Sequence, residues 1–177
     1  MSGEIHILAV GDVVGEPGLR HLEKVLRPLQ RLKDIAFTVV NGENASGVGL
    51  TREQAERIRD AGADAVTLGN HAFGKHQIGN FLDDAPWLLR PANYSGRAPG
   101  RGCGIFDLGG LRVRVVNLVG RCGLAWGADN PFTLADRLLD RGEAELTLVD
   151  FHAEATSEKL ALAYYLDGRV SALWGTH

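Results

Sequence analysis

The sequence has few of the features that mark membrane, secreted and nucleic-acid-coating proteins. Among 177 residues there are two cysteines, and 19 Lys and Arg stand against 22 Asp and Glu, for a formal net charge of −3. A protein held to nucleic acid mainly by phosphate contacts usually carries a basic excess, so this charge disfavours such a role. The apolar runs are of strand length, far below the roughly 20 residues that cross a bilayer. We therefore expect no membrane span and no signal peptide.

The two cysteines also bear on the cellular compartment. Cys103 and Cys122 form neither a CxxC pair nor the dense pattern of a small secreted scaffold. We expect buried, reduced thiols in a cytoplasmic protein, and no zinc site built on them. With 45% hydrophobic residues, 177 residues suffice for one domain and not for two ordinary ones. No linker, repeat or charge block suggests a boundary, so we expect residues 1–177 to form a single domain.

Short β-rich runs alternate with helical patterns along most of the chain. Thr51, followed three residues later by Gln54, predicts a capping box at a helix start. Two alternating runs joined across Gly109 and Gly110 predict a β-hairpin. The expected strands are 5–10, 36–40, 65–68, 104–108, 112–118, 146–150 and 170–174, and the expected helices are 17–32, 51–61, 76–82, 131–140 and 156–166. This rhythm of strands and helices predicts an α/β fold with a parallel sheet.

Polar side chains that can bind cations follow most of the expected strands. They are Asp12, Asn41, Glu43, Asn44, Asn70, His71, Asp150, His152 and His177. Because ligands of open α/β sheets gather at the carboxyl ends of the strands, we expect these side chains to meet. Carboxylates, amides and imidazoles all offer lone pairs to cations, and a carboxylate can bridge two of them. The coincidence predicts a two-metal centre, although each residue alone could serve a cap, a turn or a structural contact.

Eight segments carry a resemblance that runs in order through nearly the whole chain. They are GDVVGEPG (11–18), VNGENASGVGLT (40–51), LGNHAF (68–73), RPANY (90–94), VNLVGR (116–121), NPF (130–132), VDFHAEATSEK (149–159) and LDGRVSALWGTH (166–177). This series closely resembles the YmdB-like branch of the calcineurin-like metallophosphoesterases, whereas GNH alone is common to the wider superfamily. The resemblance implies an α/β/β/α sandwich with two metal ions at the strand ends. It also implies phosphodiesterase activity on cyclic nucleotides, including 2′,3′-cyclic ones.

Carried over residue by residue, the resemblance also implies a division of roles in the site. The implied ligands are Asp12 and Asn44 for the first metal, Asn70, His152 and His177 for the second, and Glu43 as the bridge between both. A metal-bridging hydroxide would attack the phosphorus, and His71 would act as the general acid that protonates the leaving oxygen. Such an oxygen-rich donor set suits iron or manganese at least as well as zinc.

Two features depart from the wider superfamily. An Asp-x-His pair follows the first strand there, whereas Val14 stands at the histidine position here, and in the YmdB-like branch Asn44 fills this gap. The family's Gly-Thr-His is followed by a second metal-binding histidine and further strands, which this sequence does not include after His177. The resemblance therefore implies a fold truncated at its C-terminus and a weakly occupied first metal site. A neighbouring subunit or a longer gene product could each supply the histidine.

The remaining expectations concern substrate, partners and competing functions. Asn93 and Arg121 could contact the substrate phosphate, or could instead brace loops. The negative charges of Glu154 and Glu158 are expected to interact favourably with a helix dipole, rather than to bind metal. The implied substrate is a small phosphodiester or cyclic nucleotide, with no membrane or extended nucleic acid, and the family implies a homo-oligomer. A non-catalytic nucleotide- or metal-binding regulatory module stays open, as does a Rossmann-like cofactor enzyme, although neither GxGxxG nor GxxxxGK[ST] is present.

Overall fold

The computed structural model describes residues 4–124, 127–140, 142 and 144–177, and over these residues eight strands alternate with five helices. The strands are β1 His6–Val10, β2 Ile35–Asn41, β3 Ala65–Thr67, β4 Leu88–Leu89, β5 Cys103–Asp107, β6 Arg112–Val119, β7 Leu146–His152 and β8 Ala172–Thr176. The helices are α1 Gly15–Lys33, α2 Arg52–Ala61, α3 Ile78–Asp84, α4 Pro131–Leu139 and α5 Thr156–Leu166. None of the helices in these described ranges combines the length and hydropathy that a bilayer crossing requires.

The strands form two sheets. In the first sheet β1, β2, β3 and β4 lie side by side in chain order and pair in parallel. In the second sheet β5 and β6 form an antiparallel hairpin, with Asp107 opposite Arg112, and β7 and β8 continue in parallel from β6. The predicted parallel βαβ units and the hairpin across Gly109 and Gly110 are confirmed.

The two sheets pack face to face, and the helices cover their outer faces. The apolar side chains between the sheets include Phe37, Val39, Ala65 and Leu89 from the first and Val113, Val115 and Leu148 from the second. Leucines of α1 and apolar residues of α2 and α3 pack on the outside of the first sheet, and α4 and α5 pack on the second. Strands covered on both faces are buried along nearly their whole length, as in β6, where seven of eight residues are buried. The layers are therefore helix, sheet, sheet, helix.

Local signals in the sequence account for the helix that follows β2. The side-chain oxygen of Thr51 accepts from the backbone N–H of Gln54 at 3.3 Å, and the Gln54 side chain contacts the Thr51 backbone N–H at 3.2 Å. The predicted capping box at the start of α2 is thus confirmed. Across the outer surface, Arg57 of α2 pairs with Glu16 and Glu23 of α1, and hydrogen bonds from Arg57 and Arg20 lower the pKa of Glu16 to about 2.

Three expectations differ from the structure. The strand β4 is missing from the prediction because two residues are too short to show periodicity; its place is set by pairing with β3, where Val66 lies opposite Leu88. The helix expected at 76–82 begins two residues later as α3. The expectation of buried thiols is wrong for Cys122, which is exposed, while Cys103 is partly buried.

Candidate metal centre

The face between the two sheets turns polar at the carboxyl ends of the strands. On β2, Asn41 follows Phe37 and Val39 on that face, and on β7, His152 continues the row begun by Leu148. The residues that form this polar end are Asn41, Thr67, Asp150, His152 and Thr176, and all are buried. Side chains in this layer have little access to water, so each polar atom needs a partner within the protein or a bound ion.

Glu43 lies at the middle of the cluster on the loop after β2. Its side chain is fully buried, with Oε1 3.0 Å from His152 Nε2 and 3.5 Å from His71 Nδ1. Its Oε2 accepts from the backbone N–H of His71 at 3.1 Å. The tight turn at Gly42 places Glu43 there. This turn needs glycine, since a Cβ at Gly42 would lie 2.8 Å from the side chain of Ile58. The structure thus brings Glu43 and His71 together with a histidine of the second sheet.

Asn70, His152 and His177 converge on the same place. Asn70 Oδ1 lies 2.9 Å from His152 Nε2, and the rings of His152 and His177 stand edge to face with centroids 4.9 Å apart. One ligand atom from each of Glu43, His152 and His177 can be chosen so that all three lie within 4.8 Å of one another. These three side chains form a group able to hold a metal ion.

Asp12 lies beside this group, whereas Asn44 contacts it less directly. Asp12 Oδ2 accepts from the backbone N–H of His177 at 3.0 Å, which joins the loop after β1 of the first sheet to the end of β8. The backbone carbonyl of Asn44 accepts from Gly15 N–H at 2.8 Å and so fixes the start of α1. Within the described ranges, no hydrogen bond joins the Asn44 side chain to the other predicted ligands.

The donor set suits a cation on structural grounds. Asp12 Oδ1, Glu43 Oε1 and His71 Nδ1 are buried and have no hydrogen-bond partner within the described part of the chain. Glu43 Oε1 stands at ion-pair distance from His152 without the alignment of a hydrogen bond. Burial alone would raise the pKa of the Glu43 carboxyl, but contacts with His152 and His71 outweigh it and lower the pKa. The ionised form that a metal ligand requires is therefore favoured.

Tyr94 closes one side of the cluster. Its hydroxyl lies 3.5 Å from the Asn70 carbonyl, and its ring packs against Phe73 with centroids 6.2 Å apart. Burial, together with the charge of Glu43, raises the pKa of the Tyr94 hydroxyl. The phenol therefore stays neutral beside the carboxylate.

A layer of polar residues beneath the cluster was not assigned a role from the sequence. Asp150 is completely buried and accepts from the hydroxyls of Thr67 and Thr176 and from the amide of Asn41. Burial raises the pKa of the Asp150 carboxyl, and these three donors offset part of the increase. The available signal was a polar residue at the buried end of an apolar strand.

Gly69 is a second residue that sequence reasoning missed. A Cβ built at this position would overlap the imidazole ring of His152. Only glycine lets the backbone after β3 approach this ring, and Gly69 stands directly before the predicted ligand Asn70. The Gly-Asn-His spacing is the signal that could have pointed to it.

Among the described residues, no contact joins Asn93 to the cluster. It is fully buried; its amide donates to the carbonyls of Val119 and Asp129 at 2.7 and 2.9 Å, and its carbonyl accepts from Val119 N–H at 2.9 Å. These three contacts are those of the loop-bracing role that the sequence left open.

Arg121 and the two glutamates near the start of α5 lie outside the buried group. Arg121 is exposed, and its backbone N–H, with that of Cys122, donates to Glu158. Glu158 therefore fixes this loop. The Glu154 carboxylate contacts His177 Nε2 at 2.7 Å, so Glu154 lies against a predicted ligand although the sequence suggested only a helix-start role.

Comparisons with known proteins identify the family of this chain. The sequence model of the YmdB-like protein family matches residues 8–177. A 2′,3′-cyclic-nucleotide 2′-phosphodiesterase of Bacillus subtilis (strain 168) is 44% identical over 176 residues, which are 98% of this chain and 66% of that protein.

Two solved structures share the fold over nearly all of the chain. A hypothetical protein from Thermus thermophilus is 42% identical with a TM-score of 0.89, over 97% of this chain and 67% of that one. A protein described as a novel phosphatase from Mycoplasma pneumoniae is 31% identical with a TM-score of 0.91, over 100% of this chain and 65% of that one. The chain spans about two thirds of the length of these relatives.

The expected fold class is confirmed as the α/β/β/α sandwich of the calcineurin-like metallophosphoesterases. The segments that carried the resemblance lie within the matched residues, and three of their polar side chains, Glu43, His152 and His177, meet at one end of the two sheets. This chain belongs to the YmdB-like protein family.

Proposed function

We propose that this chain carries the site of a metal-dependent phosphodiesterase that hydrolyses small phosphodiesters such as 2′,3′-cyclic nucleotides. The observation that carries the proposal is the convergence of the buried side chains of Glu43 and His152 with the more exposed His177, together with the buried Glu43 Oε1, which has no hydrogen-bond partner among the described residues. The name of the Bacillus subtilis relative supports the substrate class. A buried carboxylate facing two imidazoles has no structural role that an apolar cluster would not serve as well.

The residues of the cluster divide between two cations, for which iron and manganese are the best candidates by donor type. Asn70, His152 and His177 would hold one, Asp12 and Asn44 would contribute to the other, and Glu43 would serve both; the Asn44 assignment rests on the family resemblance alone. When bound, the cations neutralise charge on the phosphate oxygens and lower the pKa of a neighbouring water.

His71 is the proposed general acid. Its Nδ1 is buried 3.5 Å from Glu43 Oε1, while 35% of the side chain is exposed, so the rest of the ring is open to a bound phosphodiester. The backbone N–H of His71 donates to the second oxygen of Glu43, which fixes the position of the residue. The ring passes a proton to the leaving oxygen as the phosphorus–oxygen bond breaks.

A non-catalytic nucleotide- or metal-binding regulatory module is the second candidate. It is favoured by one observation: within the described residues, the side chains that converge closely suffice for one cation, and the Asn44 side chain has no hydrogen bond to them. A module of this kind would bind metal or nucleotide without turning it over.

Metal content measured together with hydrolysis separates the two candidates. The purified chain is analysed by elemental mass spectrometry, and turnover of bis-p-nitrophenyl phosphate and of a 2′,3′-cyclic nucleotide is followed with added Mn²⁺. We expect close to two metals per chain and turnover of both substrates. His152→Ala should lose metal and turnover, whereas His21→Ala, on the exposed surface of α1, should keep both. Metal or nucleotide binding without turnover would favour the regulatory module.

A further inference from the structure

Thr176 makes three polar contacts at the end of β8. It is 4% exposed, and its Oγ1 lies 2.8 Å from Asp150 Oδ1, 3.1 Å from His152 Nδ1 and 3.4 Å from Asn41 Nδ2. Strand register explains the contact with the imidazole, because Thr176 and His152 are direct partners in the parallel pairing of β7 and β8. Asp150 lies two residues before His152 on β7 and therefore on the same face.

The chemistry of the three neighbours fixes how the Thr176 hydroxyl is used. A hydroxyl has one proton to donate and two lone pairs that accept. The amide N–H of Asn41 can only donate to it, and in the structure the Thr176 hydroxyl donates to the carboxylate oxygen of Asp150. The hydroxyl proton therefore goes to Asp150, the closest of the three contacts, and the remaining lone pair accepts from an N–H on His152 Nδ1.

A proton on Nδ1 determines what the other ring nitrogen presents to the cluster. In neutral imidazole the second nitrogen is then a lone-pair donor. His152 Nε2 faces Glu43 Oε1 at 3.0 Å and Asn70 Oδ1 at 2.9 Å. Both oxygens are acceptors, so Nε2 can carry a proton in the metal-free chain; a bound cation would replace that proton and take the Nε2 lone pair. We propose that Thr176, anchored by Asp150, is a positioning residue that holds His152 in the tautomer and orientation of a metal ligand.

The anchor extends to the first sheet. Asp150 Oδ2 also accepts from Thr67 on β3 and from Asn41 on β2, whereas Thr176 bonds the other oxygen, Oδ1. Thr67 is the natural control, since it is fully buried and bonds the same carboxylate, and no hydrogen bond joins it to His152 among the described residues. The metal-ligand role of His152 rests on the proposed function, whereas its hydrogen bond to Thr176 does not.

The test compares three variants of the chain with the wild type. Thr176→Val removes the hydroxyl at nearly constant shape, Thr176→Ser restores it, and Thr67→Val removes the other hydroxyl from Asp150. Affinity for Mn²⁺ is measured by titration calorimetry after removal of metal with a chelator. In the same metal-free samples, ¹⁵N-histidine NMR reports whether His152 carries a hydrogen-bonded proton on Nδ1.

We expect the Nδ1 proton in the wild type, in Thr176→Ser and in Thr67→Val, and its loss or marked shift in Thr176→Val. Loss of such a supporting bond typically weakens metal affinity by about 10- to 100-fold, and Thr176→Val should fall in this range while the other two stay near wild type. If Thr176→Val does not fold, the wild type and Thr176→Ser still decide the question.

Several outcomes would overturn the inference. One is a wild-type His152 without a proton on Nδ1, which would mean that the Thr176 hydroxyl does not accept from the imidazole. Another is unchanged Mn²⁺ affinity in Thr176→Val, or an equal loss in Thr67→Val. None of these readouts needs turnover, so an inactive wild type that still shows the expected spectra and affinities would contradict the proposed hydrolysis and leave this inference standing.

Discussion

Glu43 and His152 come from different sheets and meet with the carboxylate Oε1 3.0 Å from the imidazole Nε2, both side chains fully buried. The contact has the distance of an ion pair without the alignment of a hydrogen bond, because Oε1 has no hydrogen-bond partner within the described residues. Taking a carboxylate out of water is unfavourable unless a counter-charge compensates it. A bound cation would supply that charge and would satisfy both atoms at once.

Glu43→Gln keeps the shape of this side chain and removes its charge. Since loss of a supporting residue already weakens metal affinity by about 10- to 100-fold, loss of the bridging carboxylate should weaken it by more than about 100-fold and abolish turnover. Metal content and Mn²⁺ titration measure the effect. Glu53→Gln, at an exposed glutamate of α2, should behave as wild type. Full metal content in Glu43→Gln would rule out its role as the bridge.

His71→Gln should separate proton transfer from metal binding. A general acid typically contributes about 10²- to 10⁴-fold, so kcat for a 2′,3′-cyclic nucleotide should fall by that order while metal content stays near wild type. The loss should be much smaller for bis-p-nitrophenyl phosphate, because p-nitrophenolate leaves without a proton. His76→Gln, on the exposed loop before α3, is the matched control. Equal losses on both substrates would contradict the general-acid role.

Much of the fold was predictable because its elements are long enough to show their period. The capping box of α2 and the glycines between β5 and β6 both act locally, and the structure confirms them. The strand β4 was missed because it has two residues and exists only through pairing with β3. The α/β/β/α layering followed from the family resemblance, since periodicity does not say which face of a strand meets another sheet.

The predicted ligands lie near one another because parallel strands carry their following residues to one edge of the sheet. Asn44 is the exception in its side-chain contacts, and its role stays a prediction. The supporting pair of Asp150 and Thr176 could not be assigned from the sequence, because it depends on the register of β7 against β8 and on the packing of the two sheets. The need for glycine at Gly69 depends likewise on the imidazole ring of His152, which lies 83 positions further along the chain.

Gly69→Ala should damage the metal centre while leaving the fold intact. Its Cβ would overlap the His152 imidazole, so the ring has to rotate or the loop has to move, and either change displaces Nε2 from Glu43. We expect a loss of Mn²⁺ affinity of about 10-fold or more, the range seen when ligand orientation is disturbed. Circular dichroism should stay close to wild type. Gly96→Ala, where a Cβ meets nothing within 4 Å, is the control; equal losses in both variants would refute the steric argument.

Asn93→Ala distinguishes loop bracing from substrate contact. The substitution leaves the N–H and carbonyl of Val119 and the carbonyl of Asp129 without their partner. A buried group deprived of its hydrogen bond costs about 1–3 kcal/mol, so the urea midpoint of unfolding should fall clearly. KM for bis-p-nitrophenyl phosphate should stay near wild type. Asn80→Ala, at an exposed position of α3, should leave the midpoint unchanged. A raised KM with unchanged stability would instead assign Asn93 to the substrate.

The link between α1 and α2 should make stability depend on pH in the acid range. Hydrogen bonds from Arg57 and Arg20 lower the pKa of Glu16 from 4.5 to about 2 in the folded chain. A lowered carboxyl pKa stabilises the fold above pH 4.5, and that stabilisation is lost as the pH falls towards 2.

Arg57→Gln removes the pairs with both Glu16 and Glu23. Urea midpoints of wild type and Arg57→Gln should therefore differ most near neutral pH and converge near pH 2. Because the pair is partly exposed, high salt should also reduce the difference. Lys24→Gln, which removes a charge from the exposed side of α1, should follow the wild type throughout. A difference that stays constant from neutral to acid pH would mean that Arg57 stabilises the helices by packing rather than by its charge.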